Sequence, residues 1–185
     1  MLPIVAIGHP TLKKKAAQIG PDYPDLKDLI DKMFETMYES KGVGLAAPQV
    51  NKSIRLFIVD ARPYADDFPE AKEFVKIFIN PYILNESGEE WMFNEGCLSV
   101  PGINEDVSRF SDVEIEYMDE NFQSYKETYK GIIGRIIQHE YDHLEGTLFV
   151  DRLSPLKKAL IRGKLNKISK GEVDITYRMI FPNKK

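Results

Sequence analysis

Residues 131–146 read GIIGRIIQHEYDHLEG, and the helix they imply decides how the rest of the chain is read. On an α-helix, residues four apart share a face, so His139 and His143 can grip one cation together. Glu140, about 100° round the helix from His139, stands close enough to move protons at that cation without ligating it. Ile132 and Ile136 continue the histidine face, while Ile133, Ile137 and Leu144 point to the other side. A helix apolar on both sides is a core helix. An HExxH stretch by itself can be no more than a solvated histidine pair, and the double burial argues against that here. His9, the third histidine, has no metal spacing and receives no role.

Outward from this helix the pattern alternates between helical and extended periods. Leu26, Leu29, Ile30, Met33, Met37 and Tyr38 follow three-and-four spacing over residues 25–41, with Pro24 near the start and Gly42 as a stop. Residues 54–59 form a short apolar run suited to a buried strand. Residues 60–73 are polar and broken by proline, as a surface loop is. Residues 75–79 read as a second strand, closed by Asn80-Pro81. Val113, Ile115 and Tyr117 alternate with charged residues as a half-exposed antiparallel strand does, and residues 122–130 can return as its partner. A further helix is expected over 154–168, with Ser154 and Pro155 at its cap and first turn. Val173, Ile175, Tyr177, Met179 and Phe181 then alternate as a strand. The expected fold is α+β: mostly antiparallel sheets packed around a central metal-binding helix, with an N-terminal helix and a C-terminal helix followed by a strand. One domain over residues 1–185 is expected, since this length buries a sizeable core.

Hydrophobic residues make up 43% of the chain and charged residues 29%, ordinary values for a soluble globular protein. No apolar run approaches the roughly 20 residues that cross a bilayer. MLPIVAIGHPTLKKK has neither the charged lead nor the cleavage site of a secretion signal, so a cytoplasmic location without membrane contact is expected. Charge is uneven. Residues 152–185 carry ten Lys/Arg against Glu172 and Asp174, a net +8 that leaves −12 for residues 1–151 of the overall −4. Such a basic end can touch an anionic partner such as RNA, or can simply be a helix with solvated lysines.

A catalytic divalent site uses three protein ligands and keeps one position open. After Gly146 the chain reads TLFVDRLSP, with no carboxylate or histidine in the usual downstream position, so the third ligand must come from elsewhere. Cys97 in EGCLSVPG, the single cysteine, is the best candidate, although a lone thiol can also be buried filler or a nucleophile. Two imidazoles and a thiolate suit a borderline or soft cation. GVGLAAPQ, residues 42–49, carries so little side-chain bulk that its backbone can approach a ligand. Gln49 ends it with an uncharged donor of the kind that stabilises an oxyanion. A small-residue turn packed under a helix fits this stretch equally well. Glu95 either buttresses the site or is an ordinary ion-paired glutamate, with Arg135 as a partner, and Asp142 points away from the metal face.

GVGLAAPQ, EGCLS and QHEYDHLEG, in this order, closely resemble the three signature motifs of the peptide deformylases, with no departure at a motif position. The resemblance implies Cys97, His139 and His143 as ligands of one divalent ion, most often iron(II), with zinc, nickel and cobalt as alternatives. It implies Glu140 as general base and acid, and Gln49 with the Leu98 backbone N–H as oxyanion donors. The peptide would lie along the Val43–Leu45 backbone and bond to Gly44. Val43, Phe93, Ile132, Ile136 and the flank of His139 would form a methionine pocket. The implied reaction is removal of the N-formyl group from formylmethionine of nascent polypeptides, with formate released. The basic tail would then be a candidate ribosome contact. Two rival readings are a zinc endopeptidase, which would need a carboxylate or histidine as third ligand, and a metal that only staples the fold.

Overall fold

The computed structural model describes residues 1–182. Asn183, Lys184 and Lys185, whose two lysines belong to the basic tail, lie outside the described residues. A short strand β1 (Ile4–Val5) leads to helix α1 (Leu26–Glu39), then strands β2 (Gly44–Ala46), β3 (Leu56–Asp60), β4 (Val75–Cys97), β5 (Val100–Met118) and β6 (Ser124–Lys130). Helix α2 (Gly131–Leu144), helix α3 (Pro155–Ser169) and strand β7 (Met179–Ile180) follow. The α+β expectation is met.

Strands β2 to β6 form one antiparallel sheet in chain order, and β1 pairs parallel with β7 in a second sheet. Helix α2 lies against the large sheet, with Ile132, Ile133, Ile136, Ile137 and Leu144 packed among Phe57, Phe78, Val113, Ile115 and Tyr117. Helix α1 buries Leu29, Ile30, Met33 and Met37 against Leu45, Leu56 and Ile58 on the other side of β2 and β3. Each such side chain taken fully out of water contributes roughly 1.5–3 kcal/mol. Among the described residues no helix is long and apolar enough to cross a membrane.

Three sequence expectations need correction. Asn80-Pro81 does not end a strand. Asn80 takes a left-handed φ of 50°, which asparagine tolerates, and the register shifts between Ile79 and Tyr82. The side chain of Asn80 bonds both backbone groups of Ile19, so the strand kinks and continues to Cys97. Gly42 is not the left-handed stop of α1. That position is Lys41, at φ 56°, and Gly42 N–H then donates to Met37 O at 2.8 Å. Gly42 instead keeps clear of Leu98, whose Cδ1 would lie 2.9 Å from a Cβ there. Finally, the alternation of residues 173–181 yields ladder pairing only at Met179–Ile180. The preceding residues run irregularly, and Asp174–Tyr177 line a cleft.

Strands β4 and β5 make a long hairpin whose register runs from Ile79 opposite Met118 to Cys97 opposite Val100. The turn at its tip is Leu98-Ser99. A further shift between Ser87 and Glu90 bends the hairpin. Its far half thereby meets α2 next to the histidines.

Candidate metal centre

His139 and His143 sit one turn apart on α2, and Cys97 ends β4 at the hairpin tip. One donor atom from each lies within 4.8 Å of the others, and Cys97 Sγ is 3.5 Å from His143 Nε2. Cys97, the candidate third ligand, is therefore brought to the paired rings. His143 is fully buried, and burial followed by repulsion from His139 holds its pKa well below the ordinary value, so its ring is neutral and able to ligate. Burial alone would lower His139 as well. Its hydrogen bonds to Cys97 and Glu95 outweigh that and hold it well above the ordinary value. One sulfur and two imidazole nitrogens converging in this way fit a divalent cation.

Glu95 joins both roles left open for it. Its Oε2 lies 2.9 Å from His139 Nδ1, and its carboxylate takes bonds of 2.7 and 2.9 Å from Arg109 and 2.9 Å from Arg135. Burial would raise its pKa, but the bonds from His139 and Arg109 win and keep it well below the carboxylate range. An ionised Glu95 fixes the His139 tautomer with N–H at Nδ1, which leaves Nε2 for a metal. Asp142 is structural as expected: Arg109 donates to it at 2.8 Å, and Arg152 grips it with two bonds of 2.6 Å.

Glu140 is buried, and its Oε2 has no hydrogen-bond partner among the described residues. Burial pushes its pKa up to about 7. The carboxylate sits beneath the backbone of Gly44, where a Cβ would lie 2.8 Å from Glu140 Cγ. Gln49 is oriented by Ala46 N–H, which donates to its Oε1 at 2.9 Å. Its Nε2 therefore faces the site, 3.5 Å from Cys97 Sγ and 3.3 Å from Ser99 Oγ. Leu98 N–H donates to no group among the described residues.

These groups open on a cleft of about 570 Å³ lined also by Val43, Gly44, Phe93, Ile132 and Ile136. The side chain of Leu45 is buried in the α1 cluster, while its backbone, the part expected to meet a substrate, runs along β2. β2 is the edge of its sheet, bonded on one side to β3. Three contributors escaped the sequence reading. Arg109 stands in an alternating polar strand with no signal to mark it. Tyr64 comes from the proline-broken loop and sets its ring edge-on to Phe93, 6.1 Å between centroids. Asp174 to Tyr177 form one wall of the cleft; only the apolar alternation there hinted at a packed face.

Residues 1–159 match the family described as polypeptide deformylase. The chain belongs to the peptide deformylase family. The peptide deformylase of Christiangramia forsetii is 55% identical, covering 100% of this chain and 98% of that protein. That of Flavobacterium johnsoniae is 52% identical, covering 98% and 96%. Among solved structures, a peptide deformylase from Legionella pneumophila is 37% identical with a TM-score of 0.80, covering 93% of this chain and 97% of that one. A deformylase from Acinetobacter baumannii, solved with Met-Ala-Ser bound, is 39% identical with a TM-score of 0.77, covering 83% and 98%. This deformylase is a metal-dependent hydrolase that removes the N-terminal formyl group from nascent polypeptides, and Cys97, His139 and His143 are its metal-binding group.

Proposed function

We propose that Glu140, Gln49 and Leu98 carry out the deformylation, with the formyl-Met chain laid along β2. The observation that carries this reading is Glu140, whose buried Oε2 has no hydrogen-bond partner among the described residues, beside three converging metal donors. When bound, the cation held by Cys97, His139 and His143 supplies Lewis acidity for a water and for the formyl oxygen. Glu140 accepts a proton from the attacking water as its oxygen bonds to the formyl carbon. The negative charge that develops on the formyl oxygen is met by Gln49 Nε2 and Leu98 N–H; one such donor is typically worth about 3 kcal/mol. Glu140 then gives its proton to the leaving nitrogen as the C–N bond breaks, so that formate and a free amine depart.

The free edge of β2 suits addition of an extended peptide, with Gly44 and the Val43–Leu45 backbone as hydrogen-bonding partners. Val43, Phe93, Ile132 and Ile136, beside His139, give an apolar slot suited to an unbranched methionine side chain. That a peptide deformylase from Acinetobacter baumannii was solved with Met-Ala-Ser bound supports a peptide headed by methionine as the ligand. Iron(II) is our first choice of metal, ahead of zinc, nickel and cobalt. Thiolate and iron together would make the enzyme oxygen-sensitive. We also propose that residues 1–185 act as one catalytic domain in the cytoplasm.

The ribosome is our proposed partner for the basic end. Helix α3 exposes Lys158, Arg162 and Lys164 together with Leu156 and Leu160, both more than 70% exposed. Ribosome binding that ignores salt, or that survives neutralisation of these residues, would contradict it.

The decisive experiment is metal analysis of protein purified without oxygen, run beside formate release from a formyl-Met peptide. Glu140→Gln should keep the metal and lose most turnover. Near-wild-type turnover in that variant would end the assignment.

A further inference from the structure

The tip of the β4–β5 hairpin is held by both ends of the chain. Ile7 N–H donates to Ser99 O at 2.9 Å, and Tyr177 Oη donates to Leu98 O at 2.8 Å. Gln49 Nε2 holds Ser99 Oγ from a third side. Tyr177 is itself fixed by the small parallel sheet: Ile4 N–H donates to Arg178 O and Ala6 N–H to Ile180 O, each at 2.9 Å. Its ring packs with Leu98 against the α1 cluster, and the segment Asp174–Tyr177 walls the cleft opposite β2. This segment lies beyond residues 1–159, the part matched to the family.

From this geometry we infer that Tyr177 is a positioning residue for deformylation, acting through the Leu98 turn. The inference rests on Leu98 N–H being an oxyanion donor. A two-residue turn at a hairpin tip can rock about its flanking bonds, and a donor that rocks loses the pre-set aim that makes it stabilise a transition state. The bond from Tyr177 Oη pins the Leu98 carbonyl, and so limits how far the Leu98 N–H can swing. This bond touches none of Val43, Phe93, Ile132 and Ile136, the walls of the proposed methionine pocket. Its loss should therefore appear in turnover and leave substrate affinity alone.

Tyr177→Phe removes the hydroxyl and keeps the ring packing. In the holoenzyme, kcat on a formyl-Met peptide should fall about tenfold, a fraction of the full loss of an oxyanion donor. KM, metal content and Tm should stay close to wild type. Affinity for a peptide phosphonate that mimics the tetrahedral adduct should fall in step with kcat/KM. Unchanged kcat in the variant overturns the role of Tyr177 while leaving the deformylase reading intact. A fall in Tm or metal content that accounts for the lost activity also overturns it, because Tyr177 would then act on stability. Wild-type protein that releases no formate when loaded with metal would sink the reading itself and this role with it.

Discussion

Glu95 Oε2 and His139 Nδ1 are 2.9 Å apart, so a carboxylate buried in the far half of the β4–β5 hairpin sets the orientation of a ring on α2. Two arginines complete its shell, and they are buried as fully as it is. Glu95→Gln should therefore fail in two ways. Metal affinity should drop about 10- to 100-fold as the ring loses its orienting partner. Stability should drop by about 3–5 kcal/mol, because Arg109 and Arg135 lose a buried counter-charge. Metal titration and denaturant unfolding of the same preparation check both.

Cys97→Ser separates the deformylase from an endopeptidase with a different third ligand. A hydroxyl is a poor substitute for a thiolate toward soft cations, so bound metal should be lost or strongly weakened while the fold persists. Metal content after gel filtration is the readout, and full retention would count for the rival.

Gly44→Ala tests the close approach of β2 to Glu140. No left-handed backbone is at stake there, so the strand itself should tolerate alanine. The new methyl would occupy the space of the Glu140 carboxylate and push it aside. A displacement near 1 Å can cost on the order of 100-fold in rate, and kcat should fall by about that much. Circular dichroism should show the fold intact.

Glu140 gives a pH prediction for the metal-free protein. Its folded pKa of about 7 lies above the ordinary 4.5 because burial penalises the charged form. Below pH 4.5 the carboxyl is protonated in both states and costs nothing. Between pH 4.5 and 7 the folded state holds the extra proton, so stability falls as pH rises; above pH 7 the penalty is complete, at about 3 kcal/mol. Glu140→Gln lacks this penalty. Metal-free variant and wild type should be equally stable near pH 4, and the variant should be more stable by about 3 kcal/mol at pH 8. Parallel urea titrations across this range would reveal an absent or reversed trend.

The metal site was legible because its chemistry is local. His139, Glu140 and His143 lie within one five-residue stretch of α2, and Gly96 beside Cys97, with Gly42 and Gly44 in the stretch ending at Gln49, marked backbones made for close approach. The α1 and α2 periodicities likewise fixed which faces are buried. Tertiary partners were less legible. The sequence offers Arg135 as a partner for Glu95, but nothing in the alternation of β5 announces that Arg109 is buried against the same carboxylate. Asn80-Pro81 is a punctuation signal in isolation, yet the bonds from Asn80 to Ile19 turn it into a kink in a continuing strand. Residues 173–178 have the period of a strand but join no ladder among the described residues. Their alternation instead faces a cleft.

The parallel pairing of Ile4–Val5 with Met179–Ile180 also sets an order of assembly. On the ribosome, Cys97, His139, Glu140 and His143 have all been translated by residue 143, but the wall carrying Tyr177 is translated later and its backbone docks against the very first strand. Closing so long a loop comes late in folding. An enzyme that works on the beginnings of other chains thus completes its own cavity by joining its late-made residues to its earliest ones.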